Sequence, residues 1–254
     1  MDLMLTSQTI DATPYCGPLV APAGLWSAWN TDPVLLASLG LALAVAVLWM
    51  RRHSEPGPRN TGALAIAFGG LIIAFVSPLC AATVALFAAR SVHHIVLISV
   101  VAPALAIALP LGRAAGGIGF ALTAGALLLW HIPAVYGAAW NSVGVYWLLQ
   151  AALLGPAWLF WSAVLQPAAR AERVFMDALL VGGLAGIMGL IGAVLTFAPT
   201  GLYPQHLVGS DAFGLSLLAD QQLAGLIMWV PGFVPLAALA FRIIARGWAR
   251  GFAS

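Results

Sequence analysis

The chain is 254 residues long, 62% hydrophobic and only 7% charged, a composition that excludes a soluble globular protein. Its formal net charge of +2 rests on ten arginines and no lysine, placed in short gaps between apolar runs. That pattern suits contact with anionic lipid headgroups and gives no reason to expect a nucleic-acid partner.

Residues 1–32 carry Asp2, Asp11 and Asp32 without a basic residue, which suits an outer segment. They lack the basic start and apolar core of a cleavable signal peptide. A bilayer core takes about 20 apolar residues per helix. The runs at 33–50, 61–78, 82–108, 116–137, 144–165, 175–198 and 220–242 predict seven spans. Their length selects helices over barrel strands, which alternate over about ten residues. The third run is too long for one straight crossing, so it either tilts or includes an outer ledge.

Nine arginines (Arg51, Arg52, Arg59, Arg113, Arg170, Arg173, Arg242, Arg246 and Arg250) fall in the alternate gaps 51–60, 109–115 and 166–174 or near the C-terminus. Short arginine-rich loops stay cytoplasmic. The expected fold is therefore an all-α bundle of seven transmembrane helices over 33–242. Its N-terminus lies outside, and 243–254 forms a cytoplasmic tail. Trp49, Trp158 and Trp161 are expected at the inner interface, and Trp130, Trp140 and Trp147 at the outer one.

This sidedness puts His93, His94, His131 and His206 near the outer ends of the runs. Arg90 alone breaks the arginine pattern. It shares a helix face with His94, whereas His93 is turned about 100° away. Arg90 either snorkels, pairs with Asp220 or holds an anion. For His93 the choice is between a headgroup-facing residue and a ligand; for His94 the ligand role leads. Pro133 kinks or ends regular helix after Trp130-His131-Ile132 and so fixes the direction of His131. His206 reads as a solvated loop residue. Cys16 and Cys80 lie on the same side and form a disulfide, a soft Cu(I) pair or two separate thiols.

Gly182, Gly186, Gly189 and Ala193 make a small-residue stripe suited to close helix packing. In the last run, Gln221, Gly225, Met228 and Gly232 share one face expected to turn inward. Asp220 reads as a helix N-cap, which leaves the successive Gln221 and Gln222 unexplained. Histidine with Met or Cys suits copper, but the scattered spacing lacks the signature of a zinc site.

The block Asp220-Gln221-Gln222-Leu223-Ala224-Gly225-Leu226-Ile227-Met228-Trp229-Val230-Pro231 resembles the signature of the CtaG family of polytopic cytochrome c oxidase assembly factors, associated with caa-type oxidases. Ser77-Pro78-Leu79-Cys80, the stretch from Leu86 through His94 to Ala102-Pro103, and Trp130-His131-Ile132-Pro133-Ala134-Val135-Tyr136 match in order and spacing. Many members carry His-x-x-x-His on the third helix. Here Arg90 takes its first position and His93 replaces an intervening Gln, so a bis-histidine site on that helix does not carry over. The resemblance implies maturation of a haem-copper oxidase at the outer face of the bacterial inner membrane.

The leading expectation is an assembly factor without turnover chemistry. Its metal ligands would be His94, His131, His93 and Met228, supported by Arg90, Asp220, Gln221 and Gln222. Copper is expected ahead of haem, with oxidase subunits and membrane lipids as partners. A copper or small-solute permease is the first alternative, although Thr123, Gln150 and Thr196 offer few polar groups for a path. A purely structural partner of the oxidase is the second.

Overall fold

The computed structural model describes residues 13–53, 57–112, 115–166 and 171–251, so Asp2, Asp11, Arg113 and Arg170 lie outside the described residues. The described residues form helices and no strand. In chain order these are α1 (Pro33–His53), α2 (Pro58–Phe75), α3 (Pro78–Ala85), α4 (Phe87–Ala108), α5 (Gly116–Trp130), α6 (Pro133–Asn141), α7 (Val143–Val164), α8 (Ala171–Phe197) and α9 (Leu207–Ala212). The last, α10, runs from Leu217–Ile227 through a wide π-helical turn, Met228–Phe233, into Val234–Gly251. Proline opens α1, α2, α3 and α6, where its missing N–H would have no helical partner in any case. Six helices are long and apolar enough to cross a membrane, or seven if α5 and α6 count as one bent span. This is a membrane protein.

Three boundaries differ from those expected. The run 82–108 is divided, because Leu86 is extended (φ −126°, ψ 130°) and separates α3 from α4. The run 116–137 bends by 81° between α5 and α6. Ile132 precedes Pro133 and takes the extended conformation that proline imposes on its predecessor (φ −82°, ψ 119°). The last helix begins at Leu217 and continues to Gly251, so residues 243–251 are helical.

Trp130, Trp140 and Trp161, expected near the interfaces, are buried within the protein. The reason for Trp161 lies in α4. Within its π-helical turn, Leu97–Val101, the N–H of Ala102 reaches back five residues to Leu97 O. The next donor in that register is Pro103, which has no N–H to give Ile98. Trp161 Nε1 donates to Ile98 O instead, at 2.7 Å. Its indole completes a backbone ladder that proline interrupts.

α8 and α10 pack closely at a point outside the stripe of Gly182, Gly186 and Gly189, where Gly192 meets Gly225. A Cβ on Gly192 would stand 2.7 Å from Gly225 O, and one on Gly225 would stand 2.6 Å from Gly192 O. Gly225 belongs to the inward face read from the sequence, and Gln221, Met228 and Gly232 are buried beside it.

Hydrogen bonds sort the helix ends into two groups. At one end, residues 13–32 form a strap over α2, α3 and α7. Asn30 N donates to Val76 O (2.8 Å), Asn30 Nδ2 to Phe75 O (3.1 Å), and Cys16 is bonded to Cys80 across a Cα–Cα distance of 5.3 Å. Tyr15 stacks on Tyr146, with ring centres 5.1 Å apart. At the opposite end, Asn60 donates to Ile107 O and Trp158 to Leu109 O. Arg173 pairs there with Asp177 at 3.1 Å.

Gly192→Val should force α8 and α10 apart and cost about 1–3 kcal/mol through overpacking. Thermal unfolding in detergent should show a lower Tm than Gly186→Val, since a Cβ on Gly186 meets nothing within 4 Å.

Candidate functional site

Asp220 does not cap its own helix. Ser216 does that, accepting from Ala219 N at 3.1 Å. The Asp220 carboxylate instead reaches the broken start of α4, where Oδ2 accepts from Phe87 N (2.7 Å) and Oδ1 from Ala88 N (3.0 Å). A helix N-terminus leaves such N–H groups unpaired and carries partial positive charge. A buried carboxylate from a remote helix satisfies both requirements. This bond orients the first turns of α4, which carry Arg90, His93 and His94.

Arg90 and His94 share a face, as their i, i+4 spacing predicts, and that face is covered by Trp130. The guanidinium carbon lies 5.6 Å from the Trp130 ring centre and 5.6 Å from that of Tyr146. His94 lies 4.9 Å from Trp130. Arg90 is buried and does not snorkel. Nor does it pair with Asp220, whose oxygens are engaged by backbone. Among the described residues no carboxylate forms an ion pair with it. Its charge rests among aromatic faces, an arrangement strengthened by desolvation.

The structure brings three histidines from two helices into a row. Ring centres are 5.9 Å apart for His93 and His94, and 5.8 Å for His94 and His131. His93 is buried and edge-on to Phe75 (5.1 Å), so it is not a headgroup-facing residue. His131 Nδ1 donates to Leu127 O at 2.7 Å, which in the neutral ring leaves Nε2 as the lone-pair nitrogen. Both ring nitrogens of His93 and both of His94 are buried without a hydrogen-bond partner. Metal–imidazole bonds of about 2 Å place the ring centres of two ligands on one ion roughly 5–6.5 Å apart, so these spacings suit a shared ion. Among the described residues no ready-made group of three or more His, Cys, Asp or Glu is disposed around one point.

The other expected residues are placed differently. Gln221 fastens the chain after α8: its Oε1 accepts from Leu202 N (2.6 Å), and its Nε2 donates to Leu195 O (3.3 Å) and Thr200 O (3.4 Å). Gln222 is half-buried, and Met228 is fully buried in the π-helical turn of α10. Cys16 and Cys80 are bonded to each other, so neither is a thiolate donor. Thr123 returns its hydroxyl to Gly119 O at 2.7 Å and does not line a polar path.

Several residues of the site carried no clear signal in the sequence. His206 is buried and not solvated, because the loop after α8 folds inward. Its Nε2 pairs with Tyr136 OH at 2.7 Å. Tyr203 stacks on Phe87 (3.8 Å between centres) and donates to His131 O (2.8 Å), closing the histidine row from the loop side. Only the recurrence of aromatic residues in 203–206 and in the block ending at Tyr136 hinted at this lid.

Two predictions follow from these contacts. Asp220→Ala should orphan two buried N–H groups at about 1–3 kcal/mol each, lowering Tm strongly, with Asp220→Asn intermediate because one acceptor oxygen remains. Burial, and secondarily the charge of Arg90, pulls the His206 imidazole down to about 3. The unfolded chain therefore takes up a proton near pH 6.5 that the folded chain refuses. Stability should fall as pH drops from about 6.5 toward 3, by up to about 1.4 kcal/mol per pH unit. Melting curves across that window should be flatter for His206→Phe than for the wild type.

One family model, described as cytochrome c oxidase caa3 assembly factor (Caa3_CtaG), matches residues 117–250, just over half of the chain. No curated protein and no solved structure matches.

Proposed function

The chain belongs to the cytochrome c oxidase caa3 assembly factor family, and from that premise we propose that it matures the oxidase by holding copper for a subunit. His94 and His131 would be the principal ligands and His93 a third donor. The observation that carries this reading is the set of buried imidazole nitrogens without partners. Unsatisfied buried polar groups are costly, and a bound ion turns that cost into binding. Imidazole is a good copper ligand. Copper is favoured over haem by space, since His94 is packed between Trp130 at 4.9 Å and His131 at 5.8 Å, leaving room for an ion and not for a macrocycle.

The role is binding and delivery without turnover. The end bearing the disulfide, the histidines and Asp220 is proposed as the outer face of the bacterial inner membrane. The opposite end carries Arg51, Arg52, Arg59, Arg173, Arg242 and Arg246, which suits the cytoplasmic side. The N-terminus is then outside and the C-terminus inside. Met228, Arg90 and Gln221 serve this reading as packing and positioning residues and are not required as ligands.

Purified protein loaded with Cu(I) against a competing chelator should retain about one ion. His94→Ala and His131→Ala should each weaken binding at least tenfold with little change in Tm. A strain lacking the protein should lose oxidase activity and regain part of it with added copper. Equal, near-zero copper in wild type and both variants would overturn the ligand assignment. Copper flux through proteoliposomes carrying the protein would identify a permease instead.

A further inference from the structure

A cavity of about 500 Å³ lies away from the histidines, between α1, α2 and α7. This is within the roughly 300–1,000 Å³ typical of small-molecule sites. Four polar side chains, Tyr15, Asp32, Ser38 and Gln150, line it among apolar ones. Tyr15 and Asp32 mark the end at the strap, where Tyr15 donates to Asp32 Oδ2 at 2.8 Å and Val34 N to Oδ1 at 2.9 Å. Leu39 and Ala42 line the wall seven and ten residues further along α1, about 10 and 15 Å deeper at 1.5 Å per residue. Leu71 and Leu154 complete the apolar part.

Gln150 of α7 also lines this cavity, and it is only 2% exposed. Neither its Oε1 nor its Nε2 has a hydrogen-bond partner. The Tyr146 hydroxyl, one turn away, is near enough to approach the amide as a hydrogen-bonding neighbour but does not meet it in bonding geometry. A donor and an acceptor thus stand unpaired within the wall of the cavity, an arrangement that a plain acyl chain from the surrounding lipid would leave unsatisfied.

Charge narrows the choice of ligand. The Tyr15 hydroxyl, followed by the Val34 N–H, holds the Asp32 carboxyl below the usual carboxylate range. The mouth therefore carries a negative charge, and among the described residues no cationic side chain lines the cavity. An anionic head such as a fatty-acid carboxylate or a phosphate meets repulsion there. We propose that this cavity binds a membrane-borne amphiphile with one hydrocarbon tail and a neutral head bearing a hydroxyl or carbonyl group. Gln150 pairs with the head, and the tail lies along Leu39, Ala42, Leu71 and Leu154. Monoacylglycerols and isoprenoid quinones both have this chemistry.

Native mass spectrometry of the full chain in detergent tests the proposal, with monoolein, decylubiquinone and oleate as separate probes. Wild-type protein should take up one molecule of a neutral probe and little oleate; the neutral probe retained identifies the source. Gln150→Leu removes the pairing group, and Ala42→Trp fills the cavity from the exposed face of α1. Each should reduce uptake at least tenfold while leaving Tm and copper content near wild type. Uptake of neither neutral probe, equal uptake of oleate, or unchanged uptake in both variants would overturn it.

Discussion

The Asp220 carboxylate holds two backbone N–H groups at the start of α4, and much of the remaining architecture depends on that contact. It allows the chain to break at Leu86 without leaving buried donors unpaired. The break lets α4 begin inside the bundle, with its own first turn beside α10. Arg90, His93 and His94 follow within two turns, so their directions are set by a side chain more than a hundred residues away in sequence. Phe87, the first residue of the capped helix, is also the surface on which Tyr203 stacks. The cap therefore orients both the histidine row and the loop that covers it.

Backbone accounting explains a second set of positions. Proline in a helix leaves a carbonyl without its usual donor, and the protein meets this from outside the helix, as Trp161 does for Ile98. Trp130 also donates to a helix carbonyl, Leu149 O on α7 at 3.2 Å, although no proline frees that one. These indoles are fixed by hydrogen bonds in the interior, where an unpaired carbonyl has no water to fall back on. The same requirement gives meaning to the unpaired polar atoms of His93, His94, Arg90 and Gln150.

Much of the fold was legible in the sequence because helix length is a local property. The apolar runs located the membrane helices, Pro133 announced the bend, and the inward face of Gln221, Gly225, Met228 and Gly232 followed from helical periodicity. What was not legible depended on remote partners. The division of the third run needs Asp220; read alone, Asp220 looks like the cap of its own helix. His206 sits in a polar loop that resembles solvent-facing chain until Tyr136 is brought against it. The roles of Trp130 and Trp161 were hidden for a related reason: only tertiary structure supplies a carbonyl for an indole N–H. At the candidate site, the shared face of Arg90 and His94 could be read from spacing, whereas the approach of His131 could not.

The Cys16–Cys80 bond closes a ring that contains two whole membrane helices, α1 and α2. In a water-soluble chain a loop of this size would be stabilised by about 4 kcal/mol through the lost freedom of the unfolded state. A bilayer already confines both helices, so much of that freedom is gone before the sulfurs join. The crosslink then acts as a placement device: it fixes where the strap lands, and with it Tyr15 against Tyr146 and Asp32 at the head of α1. Its effect is spent on the alignment of a short extramembrane segment more than on holding the bundle together.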